Sequence, residues 1–278
     1  MTVTPPTDIE SDPESLRLLA ESLRTTMTAA SGAKLDAALT ELGWRDMLDE
    51  MPDIAIPLVF KLLGETGSHA PVLNDVVLRA AGDAPGGTLP LPFAGGSWVL
   101  WERRDHADSA IDELLPIHRA PHDDSLPPAA RYAGWRALGW WLVGTSRAML
   151  SLARQHAVDR VQFGRHISSF QAIRHRLAEA LVAIEGAEAT LQAATDCDDP
   201  QGLASLLAKA AAGQAALITA RHCQQVLGGI GFTAEHPLHH HIKRSLILDG
   251  LLGSSKELTR QAGKAVVAAG SAPRLAQL

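Results

Sequence analysis

The stretch RQHAVDRVQFGRHISSFQ, from Arg154 to Gln171, decides the organisation of the chain, because one long helical pattern stops there and another begins. Ser168 followed by Gln171 fits the capping box that starts many helices. The sequence therefore predicts a basic loop, containing Arg160 and Arg165, just ahead of the free N–H groups of a helix start. Such a place favours anions, although a solvated surface loop would have the same composition.

Length and composition set the class of protein. The chain has 278 residues, enough for a sizeable core, and its net charge of −6 argues against nucleic-acid binding. Apolar residues make up 46% and aromatic residues 4% of the chain, which favours closely packed helices. Two cysteines, Cys197 and Cys223, are too few for a disulfide framework and fit a reducing compartment. The opening MTVTPPTDIESDPESL lacks a signal-peptide pattern and no later segment is predicted to span a bilayer, so we expect a soluble, cytoplasmic protein with no membrane partner.

The first half of the chain changes character near residue 74. Before it, a helix-start signal at Asp12-Pro13 and apolar residues at helical spacing predict helices over Pro13–Ala29, Ala33–Leu42 and Ile54–Glu65. After it, Gly and Pro surround short β-favouring runs, which predicts a few strands, a hairpin over Leu89–Arg103 and a linker. We therefore expect an N-terminal helical domain at residues 1–73 and a short β and linker region at 74–126.

Residues 127–278 are predicted to form an up-and-down four-helix bundle. Its helices are expected over Pro127–Arg160, Ser168–Asp196, Asp199–Gly228 and Pro237–Leu252, with a last helix over Lys256–Ala269 capped by Ser254 and Glu257. The expected fold class is therefore mainly α, with an N-terminal helical region, a shortened middle β segment and a C-terminal bundle.

Four motifs in this half carry a resemblance to a known family. They are RVQFG at residues 160–164, FQ at 170–171, HRLA at 175–178 and QVLGGIGF at 225–232. In this order and at these helix boundaries, the chain resembles the acyl-CoA dehydrogenase family of flavoproteins. The resemblance covers about the last 150 residues and extends more faintly to ELGW at 41–44 and LLGE at 62–65.

The resemblance implies a site for FAD that is shared between two subunits. In the family, the arginine of the first motif, here Arg160, reaches the FAD pyrophosphate across a subunit interface, and the phenylalanine, here Phe163, packs beside it. A guanidinium suits this task because it binds phosphate oxygens bidentately and keeps its charge when buried. The implied cofactor-binding residues are Arg160, Phe163, Gly164, Gln225, Gly228 and Gly229. Taken alone, Gly228-Gly229 would be read as an ordinary helix C-cap.

Two features expected from the resemblance are missing. A gap-free extension places Leu252 where the family carries its catalytic glutamate, and the alternative position for the base, on the first bundle helix, falls near Gly134. Leucine and glycine cannot accept a proton, so no catalytic residue is assigned; the nearest carboxylate, Asp249, is interpreted as a solvated helix charge. The region between Val72 and Pro128 is also too short for the family's middle β-domain, which cradles the flavin ring.

Three further groups of residues have simpler explanations than a ligand site. His236 and His240 lie four residues apart, and His239 and His241 flank His240, but no carboxylate or cysteine set completes a metal site, so no metal is assigned. The tryptophans Trp135, Trp140 and Trp141 are expected in a core or an interface. Lys243-Arg244, Arg147 and Arg154 are expected to be surface charge, with a smaller chance of contacting coenzyme A phosphates.

Two classes of protein fit these observations. The first is a subunit of an α2β2 flavin-dependent acyl-CoA dehydrogenase, in which a related partner chain carries the catalytic carboxylate; such heterotetramers are associated with steroid-derived acyl-CoA esters. The second is a non-catalytic helical scaffold that binds no flavin. A homomeric dehydrogenase with an unconventional base, such as Asp249, is a third possibility, which the shortened middle region counts against.

Overall fold

The computed structural model describes residues 12–103, 115–123, 126–197 and 199–271. Ten α-helices and five short strands occur in these ranges. The helices are α1 (Pro13–Ala29), α2 (Ala33–Glu41), α3 (Trp44–Glu50), α4 (Pro52–Thr66), α5 (Val72–Ala81), α6 (Pro128–Asp159), α7 (Gln171–Asp196), α8 (Leu203–Leu227), α9 (Leu238–Gly250) and α10 (Ser255–Ala269). The strands are β1 (Pro90–Phe93), β2 (Ser97–Trp101), β3 (Ile117–Arg119), β4 (Val161–Gln162) and β5 (Arg165–His166).

The C-terminal half is the predicted helical bundle. The helices α6, α7 and α8 pack on one another, and α9 and α10 pack against α6 and α8. Two helix boundaries predicted from the sequence, the start of α10 and the end of α8, are confirmed. Ser254 and Glu257 form the predicted capping box of α10, and Gly228 ends α8 with a φ of 65°. The predicted start of α8 is displaced to Leu203, although the Asp199 carboxylate still accepts the N–H groups of Ala204 and Ser205 at 3.1 and 2.9 Å.

The N-terminal half holds more helix than predicted. Two short helices were missed: α3, and α5, which crosses the proposed boundary at residue 73. Both are too short to be stable alone and depend on tertiary contacts, so local sequence patterns gave little indication of them. The division of the chain into three domains remains a prediction.

A buried carboxylate joins α3, α5 and the end of the sheet. Asp75, 1% exposed, accepts the indole N–H of Trp44 at 3.0 Å and the N–H of Gly86 at 2.7 Å, and pairs with the guanidinium of Arg103. Arg103 also binds Asp36 on α2 at 2.8 Å. A buried charge is stable only when it is paired and hydrogen-bonded, so this network fixes the four segments relative to one another.

The middle region forms a three-stranded antiparallel sheet in the order β1-β2-β3. The predicted hairpin is confirmed, with Leu91 opposite Val99, and β3 adds a third strand that the sequence analysis did not locate. An isolated bridge between Phe93 and Leu251 attaches the sheet to the connection between α9 and α10. The sheet therefore lies directly on the bundle.

The N-terminal helices and the bundle share one core. The rings of Phe60 and Trp101 pack on Trp141, with centroids 5.6 and 5.5 Å apart. The backbones of α4 and α6 also touch, because a Cβ placed on Gly64 would lie 2.5 Å from the Trp141 oxygen and one on Gly144 would lie 2.1 Å from the Lys61 oxygen. Only glycine permits so close an approach. Trp135, Trp140 and Trp141 are all buried, which confirms their assignment to the core.

One described segment, Leu203–Phe232, is long and apolar enough to cross a membrane, contrary to the expectation that no segment would be. It contains α8, which packs against α6, α7 and α10, and 67% of its most apolar window is buried inside the molecule. Core helices of soluble proteins meet the same criterion, so packing in the bundle accounts for its apolar character.

Candidate functional site

A short hairpin follows α6 and carries the first motif. The Arg160 N–H donates to the His156 oxygen at 2.9 Å, which closes the helix, and the Arg160 oxygen accepts the Ile167 N–H at 2.8 Å, which closes the hairpin. Between them β4 and β5 pair, with Gln162 opposite Arg165. Arg160 therefore lies at the base of the hairpin, with an exposed side chain.

The tip of the hairpin is a strained turn that presents an aromatic ring. Phe163 and Gly164 have φ values of 53° and 77°, the two successive positive φ angles of a type I′ turn. Glycine adopts this conformation freely, whereas a bulky side chain such as Phe163 does so at a cost of order 1–2 kcal/mol. Phe163 is 90% exposed, so packing within this chain offsets little of that cost. Strain of this kind at an exposed aromatic residue points to a binding role.

The returning strand supports the tip through ring contacts that the sequence analysis did not identify. The Arg165 Cζ lies 4.2 Å above the centroid of the Phe170 ring, and the Phe163 ring meets the same ring edge-on at 6.1 Å. A guanidinium over an aromatic face is attracted by the negative face of the ring. Phe170 thus holds both residues, but FQ in the sequence signalled only a family motif.

The predicted capping box at the start of α7 is wrong. Ser168 lies in a 3₁₀ turn over Ile167–Ser169, and α7 begins at Gln171 after Phe170, with no side-chain cap. The turn puts Gln171 in the first helical position, where it cannot reach back as the third residue of a capping box would. Ser168 instead uses its carbonyl oxygen, which accepts the Arg174 Nε–H at 2.8 Å.

The second motif lies at the end of α8. The Gln225 side chain is exposed, and Gly228 caps the helix with its N–H on the Gln224 oxygen. A Cβ on Gly229 would meet no atom within 4 Å, whereas one on Gly231 would lie 2.8 Å from the Gln224 oxygen. Packing within the chain therefore explains Gly231, and conformation explains Gly228. Gly229 leaves backbone open to close approach from outside the chain.

The two motifs lie at the same end of the bundle. The last turns of α6 and α8 share a small apolar cluster, with Ala157 and Cys223 buried in it and Ile167 of the hairpin return packed against it. The electrostatics agree: burial and then His236 and Arg160 hold the pKa of His156 below its ordinary value. The structure thus brings together, at one end of the bundle, the hairpin residues Arg160, Phe163 and Gly164 and the α8 residues Gln225, Gly228 and Gly229.

Gly134 and Leu252, the two positions that the resemblance aligns with the family's catalytic base, lie side by side in another part of the molecule, and the Leu252 side chain fills the space between them. Leu252 is 3% exposed and has a φ of 55°. A Cβ on Gly134 would lie 2.4 Å from its Cδ1 and 3.2 Å from Val77 Cγ2. The Leu252 N–H donates to the Pro92 oxygen at 2.7 Å, and its oxygen accepts the Trp135 indole N–H at 2.8 Å. The sheet, α5 and α6 therefore close over this place.

Asp249 is not the solvated charge that the sequence analysis expected. It is 8% exposed, and its carboxylate accepts the Ser255 N–H at 3.0 Å and the Ser255 hydroxyl at 3.3 Å, so it stabilises the start of α10. Its backbone oxygen accepts a bond of 2.6 Å from Lys209, whose amine also contacts the Gly253 oxygen. Burial lowers the pKa of Lys209 to about 7. These groups fix the connection that contains Leu252.

The histidine-rich segment makes local contacts. His236 Nδ1 accepts the Leu238 N–H at 3.1 Å, and the rings of His239 and His240 lie 3.8 Å apart. Within the part of the chain that the structure describes, no group of three or more His, Cys, Asp or Glu side chains could hold a metal ion. Arg244, expected at the surface, is 5% exposed and donates to the Ser68 oxygen at 3.1 Å, because the segment that follows α4 lies against α9 there.

The sequence of this chain is similar to those of acyl-CoA dehydrogenases. Residues 136–267 match the family model described as acyl-CoA dehydrogenase, C-terminal domain. Acyl-CoA dehydrogenase FadE34 of Mycobacterium tuberculosis is 34% identical to this chain over 211 residues, covering 68% of this chain and 29% of FadE34. The chain belongs to the acyl-CoA dehydrogenase family.

Two solved structures share the fold over 92% of this chain. A variant of the steroid ACAD Tcur3481-Tcur3483 matches over 99% of its chain with a TM-score of 0.65 and 18% identity. The ChsE4-ChsE5 complex from Mycobacterium tuberculosis matches over 98% of its chain with a TM-score of 0.62 and 20% identity. The chain spans only 29% to 38% of the length of the first curated relatives that it matches.

Proposed function

We propose that this chain is a subunit of a flavin-dependent acyl-CoA dehydrogenase and completes the FAD site of a related partner chain that carries the catalytic carboxylate. The observation that carries the proposal is a contrast between two places in the molecule. The residues expected to bind FAD are exposed at one end of the bundle, whereas the place of the base is filled by Leu252. We further propose that the protein works in the cytoplasm.

The residues of the exposed end fit the FAD diphosphate. Arg160 supplies a permanent positive charge with paired donors, which suits phosphate oxygens. Gly229 offers backbone on which a Cβ would meet no protein atom, which suits a ligand lying against the main chain. Phe163 would exclude water beside the diphosphate, and its strain would be offset there rather than in the lone chain.

FAD, when bound, supplies the acceptor for the hydride that leaves the β-carbon of an acyl-CoA. This chain contributes positioning and charge: Arg160, Gln225 and the backbone at Gly228 and Gly229 would orient the dinucleotide, and the partner would remove the α-proton. Leu252 can neither accept nor donate that proton. The closed contact between Gly134 and Leu252 also leaves no room there for an acyl group.

Two of the structural relatives support a proposal for the partner and the substrate class. The ChsE4-ChsE5 structure is a complex of two different chains, and Tcur3481-Tcur3483 is a steroid ACAD whose name pairs two components. We propose a heterotetramer with a related acyl-CoA dehydrogenase chain and an acyl-CoA substrate, derived from a steroid.

The test is to co-express this chain with its candidate partner and measure the flavin absorbance and the mass of the purified complex. We expect a yellow heterotetramer with one FAD for each pair of unlike chains. Arg160→Ala should weaken FAD binding by about 2–5 kcal/mol, roughly thirtyfold or more, because it leaves the diphosphate charge without its partner.

Arg154→Ala is the matched control, since it removes an exposed arginine from α6, six residues before Arg160, and should leave FAD binding unchanged. A lone chain that binds stoichiometric FAD and turns over acyl-CoA would refute the shared site. A stable colourless complex would support a scaffold instead.

A further inference from the structure

A cavity of about 280 Å³ opens between three of the N-terminal helices and the first helix of the bundle. Its walls come from α3, the first turns of α4, the second half of α5 and the N-terminal part of α6. None of its described lining residues belongs to the hairpin, to the Gly228-Gly229 turn or to the contact between Gly134 and Leu252. The cavity is therefore separate from the site proposed for FAD.

Much of the cavity wall is apolar. Leu48 on α3, Val76 on α5 and Trp140 on α6 are buried, and Ile56 on α4 is partly buried beside them. All four side chains belong to the core that the two halves of the fold share or pack against it, so the wall keeps its shape without a ligand. Apolar walls with a few polar groups are typical of sites for small molecules.

One charged group in this wall has few partners. Arg136 is partly buried, and only one of its N–H groups, on Nη1, has an acceptor in the described part of the chain, the Ser205 hydroxyl at 2.8 Å. That hydroxyl donates to the Asp199 carboxylate at 3.0 Å, so a neutral group separates the two charges. Burial lowers the pKa of Arg136, and attraction through space from Asp199 and Asp53 offsets this only in part.

Other partly buried arginines bind carboxylates directly. Arg103 pairs with Asp36 and Asp75, and Arg147 pairs with two glutamates of α7. Burial opposes the charge of Arg147 as well, but its hydrogen-bonded glutamates raise its pKa above the ordinary value. Arg136 keeps its charge at neutral pH without such a pair, so an anion entering the cavity would find unused donors there.

Two further charged residues line the cavity. Arg79 is already engaged, because its Nε donates to Asp49 Oδ1 at 2.8 Å. Asp53 is exposed, so solvent and salt weaken its repulsion of an anion. Arg136 is therefore the lining charge that remains to bind a ligand.

We propose that this cavity binds a small monocarboxylate with an apolar body. Arg136 would bind the carboxylate oxygens, for which the paired donors of a guanidinium are suited, and Ile56 and Trp140 would cover the apolar part. A cavity of about 280 Å³ accepts a single ring or a short chain. The proposal rests neither on FAD nor on the proposed partner.

The experiment measures binding of phenylacetate to the full chain, in its complex if the two chains co-purify, by calorimetry and by the shift in Tm. Phenylacetamide has nearly the same shape without the charge, and benzylamine has the opposite charge. Each is added up to about 20 mM, with sodium chloride holding the ionic strength equal. We expect saturable binding of phenylacetate with a rise in Tm, and binding of phenylacetamide that is weaker by about tenfold or more.

Variants locate the site. Arg136→Gln should weaken phenylacetate binding by about tenfold or more and change phenylacetamide binding by less than about twofold. The matched control is Arg154→Gln, which removes an exposed arginine from the same helix outside this cavity and should change phenylacetate binding by less than about twofold.

A second variant fills the cavity without altering its charge. Ala80 lines the cavity from α5 and is partly exposed, so Ala80→Leu enlarges a side chain in the wall. It should weaken phenylacetate and phenylacetamide together. If Arg136→Gln does not fold, this variant and the difference between acid and amide in the wild type decide the question.

Three results would overturn the proposal. Equal binding of phenylacetate and phenylacetamide would show that no charge is recognised, and equal weakening by Arg136→Gln and Arg154→Gln would assign the effect to general surface charge. Tighter binding of benzylamine than of phenylacetate would assign the cavity to a cation held by Asp53. A colourless complex that still binds phenylacetate would refute the FAD site and leave this proposal standing.

Discussion

Replacing Gly134 by alanine tests its close contact with Leu252, which fills the position where a catalytic base was expected. The added Cβ would lie 2.4 Å from Leu252 Cδ1, well inside van der Waals contact. Alanine also favours the helical state by about 1 kcal/mol, since glycine is costly within a helix. The overpacking costs about 1–3 kcal/mol, so we expect Gly134→Ala to lower the free energy of unfolding by up to about 2 kcal/mol.

The second perturbation removes the opposing side chain. Leu252 is 3% exposed, and Leu252→Ala should lower the free energy of unfolding by about 2–5 kcal/mol through lost burial and the cavity that remains. In the double variant the new methyl group of residue 134 enters that cavity and the overpacking disappears. The double variant should therefore be more stable than the sum of the single effects by about 1–3 kcal/mol.

Urea unfolding of the wild type, the two single variants and the double variant, all at the same protein concentration, measures this coupling. Gly186→Ala is the matched control, because a Cβ there meets no atom within 4 Å on exposed α7, and it should stabilise the chain by about 0.5–1 kcal/mol. Additivity within about 0.5 kcal/mol would show that residues 134 and 252 do not touch, and the closed acyl position would lose its support.

Two further predictions concern buried charges. Asp75→Asn should lower the free energy of unfolding by about 3–5 kcal/mol, because it leaves Arg103 with half of its ion pairs; urea unfolding checks this, and a loss below about 1 kcal/mol would contradict it. Burial lowers the pKa of Lys209 from its ordinary 10.5 to about 7. At pH values between these two pKa values, the unfolded chain therefore binds one more proton than the folded chain. Stability should therefore rise with pH, by about 1.4 kcal/mol per unit from this group, and Lys209→Met should lack that slope when both are unfolded at several pH values; equal slopes would refute the assignment.

The bundle was predictable because its signals are local. Long apolar periodicity, the Ser254 and Glu257 cap and the glycine after α8 each act within a few residues, and the structure confirms them. The missed α5 shows the limit, since the helix that it packs against, α6, begins more than forty residues further along the chain. Local patterns cannot reveal such tertiary stabilisation.

The candidate site, like the fold, was only partly predictable from the sequence. The motifs identified the residues of the exposed end. The spacing of these motifs in the sequence does not indicate the strained φ of Phe163 or its contact with Phe170. Arg244 was placed at the surface because charged residues usually lie there, whereas its burial depends on a carbonyl from a distant segment. The sequence match aligned Gly134 and Leu252 with the same chemical role, and only the fold shows that they are neighbours.

The glycine contact between α4 and α6 restricts motion of the N-terminal helices relative to the bundle. Since Gly64 and Gly144 bring the two backbones together without side chains between them, neither helix can slide or tilt without a collision of main-chain atoms. Separating the two halves would also expose the aromatic packing of Phe60 and Trp101 on Trp141, so we expect the N-terminal helices and the bundle to move together. An opening that admits a ligand to this subunit is therefore expected in its loops, its hairpin or its neighbour.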